Sequence, residues 1–294
     1  MSDLPTFIDQ AWTDHAEDAW GVSLRLPDAL DLVTDADGML GLARLASHVY
    51  GEHLGRWADG LKYLAALARG PGFDAASAQG QALRVLRAAL ALAADSGDVR
   101  ATLGTSDRIA VTARAGMLLA LHHVARAQAL LDEAVSAAES AALPPGDPAM
   151  RTLAMAGNNA AAALIDKPER TEAERALMLH AAALARRCWG LAGTWLETER
   201  AEYRLAMAWR AAGDAARARE HAQACLAIVD AQPEPSAFER FYGCEALALA
   251  EQAAGNAAAH AQALQAAQVA FQALSPDDQA ACRSTLQRLQ AGAA

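Results

Sequence analysis

Residues 204–226 read RLAMAWRAAGDAARAREHAQACL, and residues 247–267 read LALAEQAAGNAAAHAQALQAA. Each has apolar residues at helical spacing, then Gly213-Asp214 or Gly255-Asn256, then a second alanine-rich helical run. Glycine followed by Asp or Asn closes one helix and caps the next, so each stretch predicts two antiparallel helices joined by a tight turn. Each also keeps small residues where the two helices must cross.

The same reading extends outward. Short clusters rich in Gly, Pro, Asp or Ser interrupt helical periodicity at regular intervals, notably Gly70-Pro71-Gly72, 143–148 and 232–235. Between them the pattern predicts helices over 8–26, 37–53, 55–69, 77–95, 107–121, 123–141, 149–165, 170–190, 194–212, 214–231, 236–254, 257–274 and 276–291. The last is expected to start with Ser275 as cap, Pro276 in the first turn, and Asp277 and Asp278 at the positive end of the helix dipole.

Composition agrees with an all-α chain. Alanine, the strongest helix former, makes up roughly a quarter of the 294 residues. Aromatic residues are 5% and β-branched runs are scarce, which argues against a substantial sheet. The net charge of −10 excludes an ordinary nucleic-acid binder or a partner of anionic lipid. Most of the excess lies early: nine acids from Asp3 to Asp37 face Arg25 alone. That segment reads as a soluble end cap or as an acidic docking arm; a homodimer through it is compatible with the sequence. No apolar run approaches a membrane span. Met1-Ser-Asp-Leu-Pro lacks the basic and apolar regions of a secretory signal. Cys188, Cys225, Cys244 and Cys282 form no CxxC pair and read as free, packed thiols of a reducing cytoplasm. The preference for arginine over lysine, which occurs only as Lys62 and Lys167, points to a GC-rich bacterial source.

The paired helices resemble the tetratricopeptide repeat. Its small residues at the eighth, twentieth and twenty-seventh positions fall on Ala206, Ala218 and Cys225. The same places fall on Ala115, Ala127 and Ala134, on Ala161, Ala173 and His180, and on Ala248, His260 and Ala267. The eighth-position alanines are about 46, 45 and 42 residues apart, against about 34 in the usual repeat. Longer helices account for this, and Asn158-Asn159 with the run from Thr171 to Glu174 is similar to the longer kinesin-light-chain type. HEAT and armadillo solenoids share the period, but the Gly-Asp turn and the spacing of small residues favour the tetratricopeptide reading. It implies an α-α superhelix of about five to six hairpins. An acidic segment (1–36) comes first, then the repeat array (37–274), then a capping helix (275–294). Before residue 107 the pairing is ambiguous; pairing 55–69 with 77–95 preserves parity.

The resemblance also implies a concave face lined by the first helix of each pair. Its fifth position carries Thr112, Asn158, Tyr203 and Glu245. Its second carries Ile109, Met155, Arg200 and Tyr242, and its twelfth Leu119, Ile165, Arg210 and Gln252. Asn158 can hold an extended backbone, and Arg200 and Arg210 a carboxylate. Tyr203 and Tyr242 offer flat amphipathic contact. The Lys–Asn–Asn–Lys–Arg clamp of chaperone-binding repeats is not visible.

Catalytic signatures are lacking: no phosphate loop, GxSxG, HExxH or EF-hand pattern is present. His122 and His123 are adjacent and diverge by about 100° on a helix, a poor chelating pair. His180, Cys188 and Trp189 read as packing residues. Glu197, Glu199 and Glu202, interleaved with Arg200 and Arg204, read as a solvated, salt-bridged face. The expected function is a non-catalytic scaffold that binds a peptide or protein segment, with no cofactor, metal, nucleic acid or membrane. The alternative is a peptide- or ligand-sensing module acting in trans on a signalling protein or transcription factor.

Overall fold

The computed structural model describes residues 3–97 and 100–291; the outermost residues of the two terminal segments lie outside this range. Among the described residues the chain is all-α, with no strand. The helices are α1 (Leu4–Arg25), α2 (Ala36–Ala46), α3 (Trp57–Leu67), α4 (Ala78–Ala93), α5 (Thr105–Leu119), α6 (Val124–Ser140), α7 (Pro148–Asp166), α8 (Glu172–Ala192), α9 (Trp195–Ala211), α10 (Ala215–Asp230), α11 (Ala237–Ala253), α12 (Ala257–Gln272) and α13 (Pro276–Ala291). Short 3₁₀ turns cover Leu26–Leu32 and Arg100–Thr102, and a π-helical turn covers Ser47–His53. No helix among the described residues is long and apolar enough to cross a membrane.

The helix ends follow from local chemistry. Thr171 and Thr194 each form a capping box with the glutamate three residues on, Glu174 and Glu197. Asp35, Ser77, Asp214, Ser236 and Ser275 accept from backbone N–H groups of the first turn that they precede. Gly213 and Gly255 close α9 and α11 at φ +87° and +73°, a conformation that costs other residues about 1 kcal/mol. The segment read as one helix over 37–53 changes character at Ser47, where the backbone widens into the π turn.

The chain divides into two compact units, Met1–Ala156 and Gly157–Ala294, with the boundary inside α7. In the first, Met39, Leu42, Leu45, Leu64, Leu83, Leu90, Ile109 and Leu118 are fully buried. Helix α4 packs against α2, α3 and α5. The acidic first segment is packed rather than free. Leu4, Ala11 and Val22 are buried, and the Tyr50 and Tyr63 hydroxyls donate to the Ser23 and Leu26 carbonyls at 3.0 and 2.7 Å. In the second unit α9–α10 and α11–α12 are antiparallel neighbours, and α13 closes over α11 and α12. Phe241 is its largest fully buried side chain, surrounded by Cys244, Ala248, Ala263, Ala267 and Cys282. All four cysteines are buried and carry no disulfide.

Small residues sit where helices cross. Ala115, Ala127 and Ala134 are buried, as are Ala206, Ala218 and Cys225. His260 fits its small-residue place by turning its Nδ1–H onto the Ala248 carbonyl, 2.8 Å away. The α7–α8 register is a correction: Ala161 is buried, but Ala173 is exposed and His180 is only half-buried. The close approach occurs at Gly157, where a Cβ would lie 2.6 Å from the Ala181 carbonyl oxygen and 3.0 Å from the Ala185 nitrogen. The connection causes the shift. Residues 167–171 form a longer link than the Gly-Asp turns, and Arg170 Nη1 caps the α7 carbonyls of Leu164 and Ile165, at 2.8 Å each. Helix α8 therefore starts in a different phase. At the well-registered α9–α10 crossing, Ala206→Leu is expected to destabilise by about 1–3 kcal/mol through overpacking. An unchanged urea midpoint would contradict this crossing.

Candidate functional site

Helix α9 carries a polar arc through the second unit, and most of the expected groove residues gather around it. Arg200 grips Glu239 of α11 with Nη2 to Oε1 at 2.6 Å and Nε to Oε2 at 3.4 Å. The Tyr203 hydroxyl donates to Glu245 Oε2 at 3.0 Å, and its ring meets Tyr242 edge-on, centroids 5.8 Å apart. Asn158 Oδ1 accepts from Arg204 Nε at 3.3 Å. Arg210 lies close enough for its charge to act on Glu245, and its Nε is buried with no hydrogen-bond partner among the described residues. Gln252 is exposed near the end of α11. Thr112 belongs to the first unit and is buried, donating to the Arg108 carbonyl and accepting from Arg100 Nη1. Ile109 and Leu119 are likewise core residues.

The glutamates of α9 correct the expectation of a solvated face. Glu199 is 1% exposed and Glu202 7%, because α9 is flanked by α8, α10 and α11 and has little arc left for water. Glu202 is fully partnered: Arg186 Nε reaches Oε1 at 2.5 Å and His221 Nδ1 reaches Oε2 at 2.7 Å. Burial alone would raise its pKa, but these two bonds outweigh it and hold the carboxyl below the usual range. Glu199 goes the other way. Burial pushes it up to about 8; the Cys225 thiol, which donates to Oε1, opposes the rise, and the Glu239 carboxyl adds to it. Oε2 of Glu199 has no conventional donor and lies against Glu239, so a proton held on Glu199 satisfies both carboxyls. Burial, then the charge of Glu199, raises the Cys225 thiol, which leaves it unreactive. Burial also raises Glu245, against the Tyr203 bond and the charges of Arg288 and Arg210. This lattice is largely self-satisfied. What it offers outward is the half-exposed Arg200 guanidinium and the edges of Tyr203 and Tyr242.

The first unit contains a less satisfied site. A cleft of about 200 Å³ is bordered by Leu40 and Arg44 of α2, Gln81 and Val85 of α4, Asp107 and Arg114 of α5, and Thr152 of α7. Arg114 Nε is buried with no hydrogen-bond partner among the described residues. Burial lowers the guanidinium pKa from its usual value; Glu52 opposes this and Arg44 adds to it. An arginine stays charged at any ordinary pH. Arg44 and Arg114 therefore set two like charges beside an apolar wall, with Asp107 as the acid at the exposed rim. An incoming carboxylate would relieve that repulsion and fill the open donor. Neither arginine belongs to a recognisable sequence motif. One signal was present: Arg114 is the single charge inside a run from Ile109 to Ala120 that is otherwise buried.

A broader cleft of about 550 Å³ lies in the second unit along α11 and α12, lined by Pro235, Arg240, Cys244, Gln262, Gln265 and Val269. It includes none of the expected groove residues. No protein-family model matches the chain, and no curated protein matches it.

Proposed function

We propose that this chain is a tetratricopeptide-like scaffold that holds a segment of a partner protein, with an acidic side chain or free C-terminus seated between Arg44 and Arg114. The carrying observation is Arg114, whose buried Nε has no hydrogen-bond partner among the described residues and whose guanidinium feels the charge of the exposed Arg44. A volume of about 200 Å³ suits one side chain or chain terminus and is below the size of ordinary small-molecule pockets. The tetratricopeptide part of the reading is supported by the buried small residues of α5–α6, α9–α10 and α11–α12 and by the left-handed glycines at two turns. Arg200, with Tyr203 and Tyr242, provides a second, weaker contact patch on the other unit.

The test is affinity capture from the native cell with mass spectrometry, comparing wild type, Arg44→Ala/Arg114→Ala and Asn158→Ala/Arg200→Ala/Arg210→Ala. The expected result is loss of the main partner from the Arg44/Arg114 variant, at about tenfold or more in recovery, as for a buried charge-assisted contact. Equal recovery by all three proteins would count against the reading.

The cleft of about 550 Å³ favours a second reading, regulation by a small molecule, because its volume lies in the usual ligand range. A metabolite that raises the melting temperature of wild type but not of Val269→Arg would support it.

A further inference from the structure

Three imidazoles meet in the first unit, outside the cleft described above. His48 and His53 belong to the π-helical turn Ser47–His53, and His15 comes from α1. On an α-helix, residues five apart point about 140° away from each other. In a π turn the i to i+5 spacing closes one turn, so the two rings come to the same face. The backbone bond from the Leu54 N–H to the Val49 carbonyl, 3.1 Å and five residues back, marks that geometry. The result is His48 Nε2 only 3.0 Å from His53 Nε2, with ring centroids 4.6 Å apart. The His15 ring lies 4.8 Å from that of His48 and 5.1 Å from that of His53. One nitrogen from each of the three residues lies within 4.8 Å of the others.

The outward nitrogens of His48 and His15 are held in the way metal ligands require. His48 Nδ1 donates to Glu52 Oε1 at 2.9 Å, and His15 Nδ1 donates to the Trp12 carbonyl at 2.7 Å. Each bond fixes the tautomer and leaves Nε2 with its lone pair free for a ligand bond, and that of His48 faces His53 Nε2 at 3.0 Å. A carboxylate–histidine bond and a carbonyl–histidine bond are the usual outer partners of zinc-binding imidazoles. Tetrahedral zinc with bonds of 2.0–2.1 Å sets its nitrogen ligands about 3.3 Å apart. The His48–His53 pair is within a few tenths of an ångström of that distance, and His15, whose ligand nitrogen lies within 4.8 Å of the others, closes the triangle by a small shift of its half-exposed side chain. Trp12, packed against the His15 and His48 rings at 5.1 Å each, walls one side from water.

We propose that His15, His48 and His53 form a three-imidazole site for a divalent transition-metal ion of the zinc class, with Glu52 and the Trp12 carbonyl as its outer partners and water in the fourth position. Such an ion would fasten α1 to the π turn. Nothing in the sequence spacing announces the site, because His48 and His53 fall on different faces of the helix that periodicity predicts.

The experiment uses the full chain freed of metal by chelator. Zn²⁺ is titrated calorimetrically, and Co²⁺ is added as a spectroscopic probe whose intense visible bands report tetrahedral coordination. The expected result is one Zn²⁺ per chain, a tetrahedral Co²⁺ spectrum and a raised melting temperature. His15→Ala, His48→Ala and His53→Ala should each lower Zn²⁺ affinity by more than about tenfold and abolish the Co²⁺ bands, and Glu52→Ala should weaken binding by about tenfold. Far-UV circular dichroism checks that the variants stay helical. Should a π-turn variant unfold, His15→Ala carries the decision, because His15 lies on the outer helix. Absence of stoichiometric Zn²⁺ binding by wild type would overturn the proposal, and so would equal affinity in wild type and His15→Ala.

Discussion

Gly157→Val is expected to destabilise the second unit by about 3 kcal/mol or more, at the upper end of what overpacking costs. The obstacle is backbone. A Cβ at this position would stand 2.6 Å from the Ala181 carbonyl oxygen and 3.0 Å from the Ala185 nitrogen, and neither can rotate away as a side chain could. Even Gly157→Ala should be destabilising, although alanine in a helix interior is favoured over glycine by about 1 kcal/mol. The close approach must outweigh that gain by moving α7 from α8. Urea unfolding of both variants measures it. A Gly157→Ala protein more stable than wild type would show that α7 and α8 are not in contact at Gly157.

The second large effect depends on pH. Glu199 titrates near 4.5 when unfolded and at about 8 when folded. Between those values the folded chain binds the extra proton and the unfolded chain does not. Stability contributed by this group is therefore fully present at the acid end of the window and falls as pH rises through it. The expected loss between pH 5 and 8.5 is about 2–4 kcal/mol. Glu245, also raised by burial, adds to the same trend. Glu202 and Glu174, both held below the usual range, act oppositely and lose their contribution only as pH falls into the acid range. Glu199→Gln should remove most of the alkaline loss: equal to wild type near pH 5, more stable than wild type at pH 8.5. Equilibrium unfolding across pH reads this directly, and parallel curves for the two proteins would contradict a proton held on Glu199.

The helices were legible because their signals are local. Periodicity gave the apolar faces, and Gly, Pro and capping residues gave the ends, so Ser275-Pro276-Asp277-Asp278 starts a helix as its chemistry dictates. Features that depend on which faces meet were less legible. The α7–α8 register moved because a five-residue link capped by Arg170 resets the phase of α8, and a small-residue pattern laid over that link ran one step out. The acids of α9 looked solvated because they alternate with arginines. Burial on three sides turns the same residues into a hydrogen-bonded lattice with Arg186, His221, Cys225 and Glu239. The π turn was invisible because it changes backbone pitch without changing composition. The chemistry missed was of one kind: Arg44 with Arg114, and His15 with His48 and His53, lie on separate elements or on an altered pitch, and only folding brings them together.

Capture of a protein segment through a carboxylate by the first unit is the proposal with the most direct test. That test is selection from a random peptide library against the immobilised full chain, followed by titration of the selected peptides. The selected peptides are expected to bear an acidic residue or a free C-terminus and to be bound at least about tenfold more weakly by Arg114→Ala. Peptides without a required carboxylate, or equal affinity for wild type and Arg114→Ala, would contradict it.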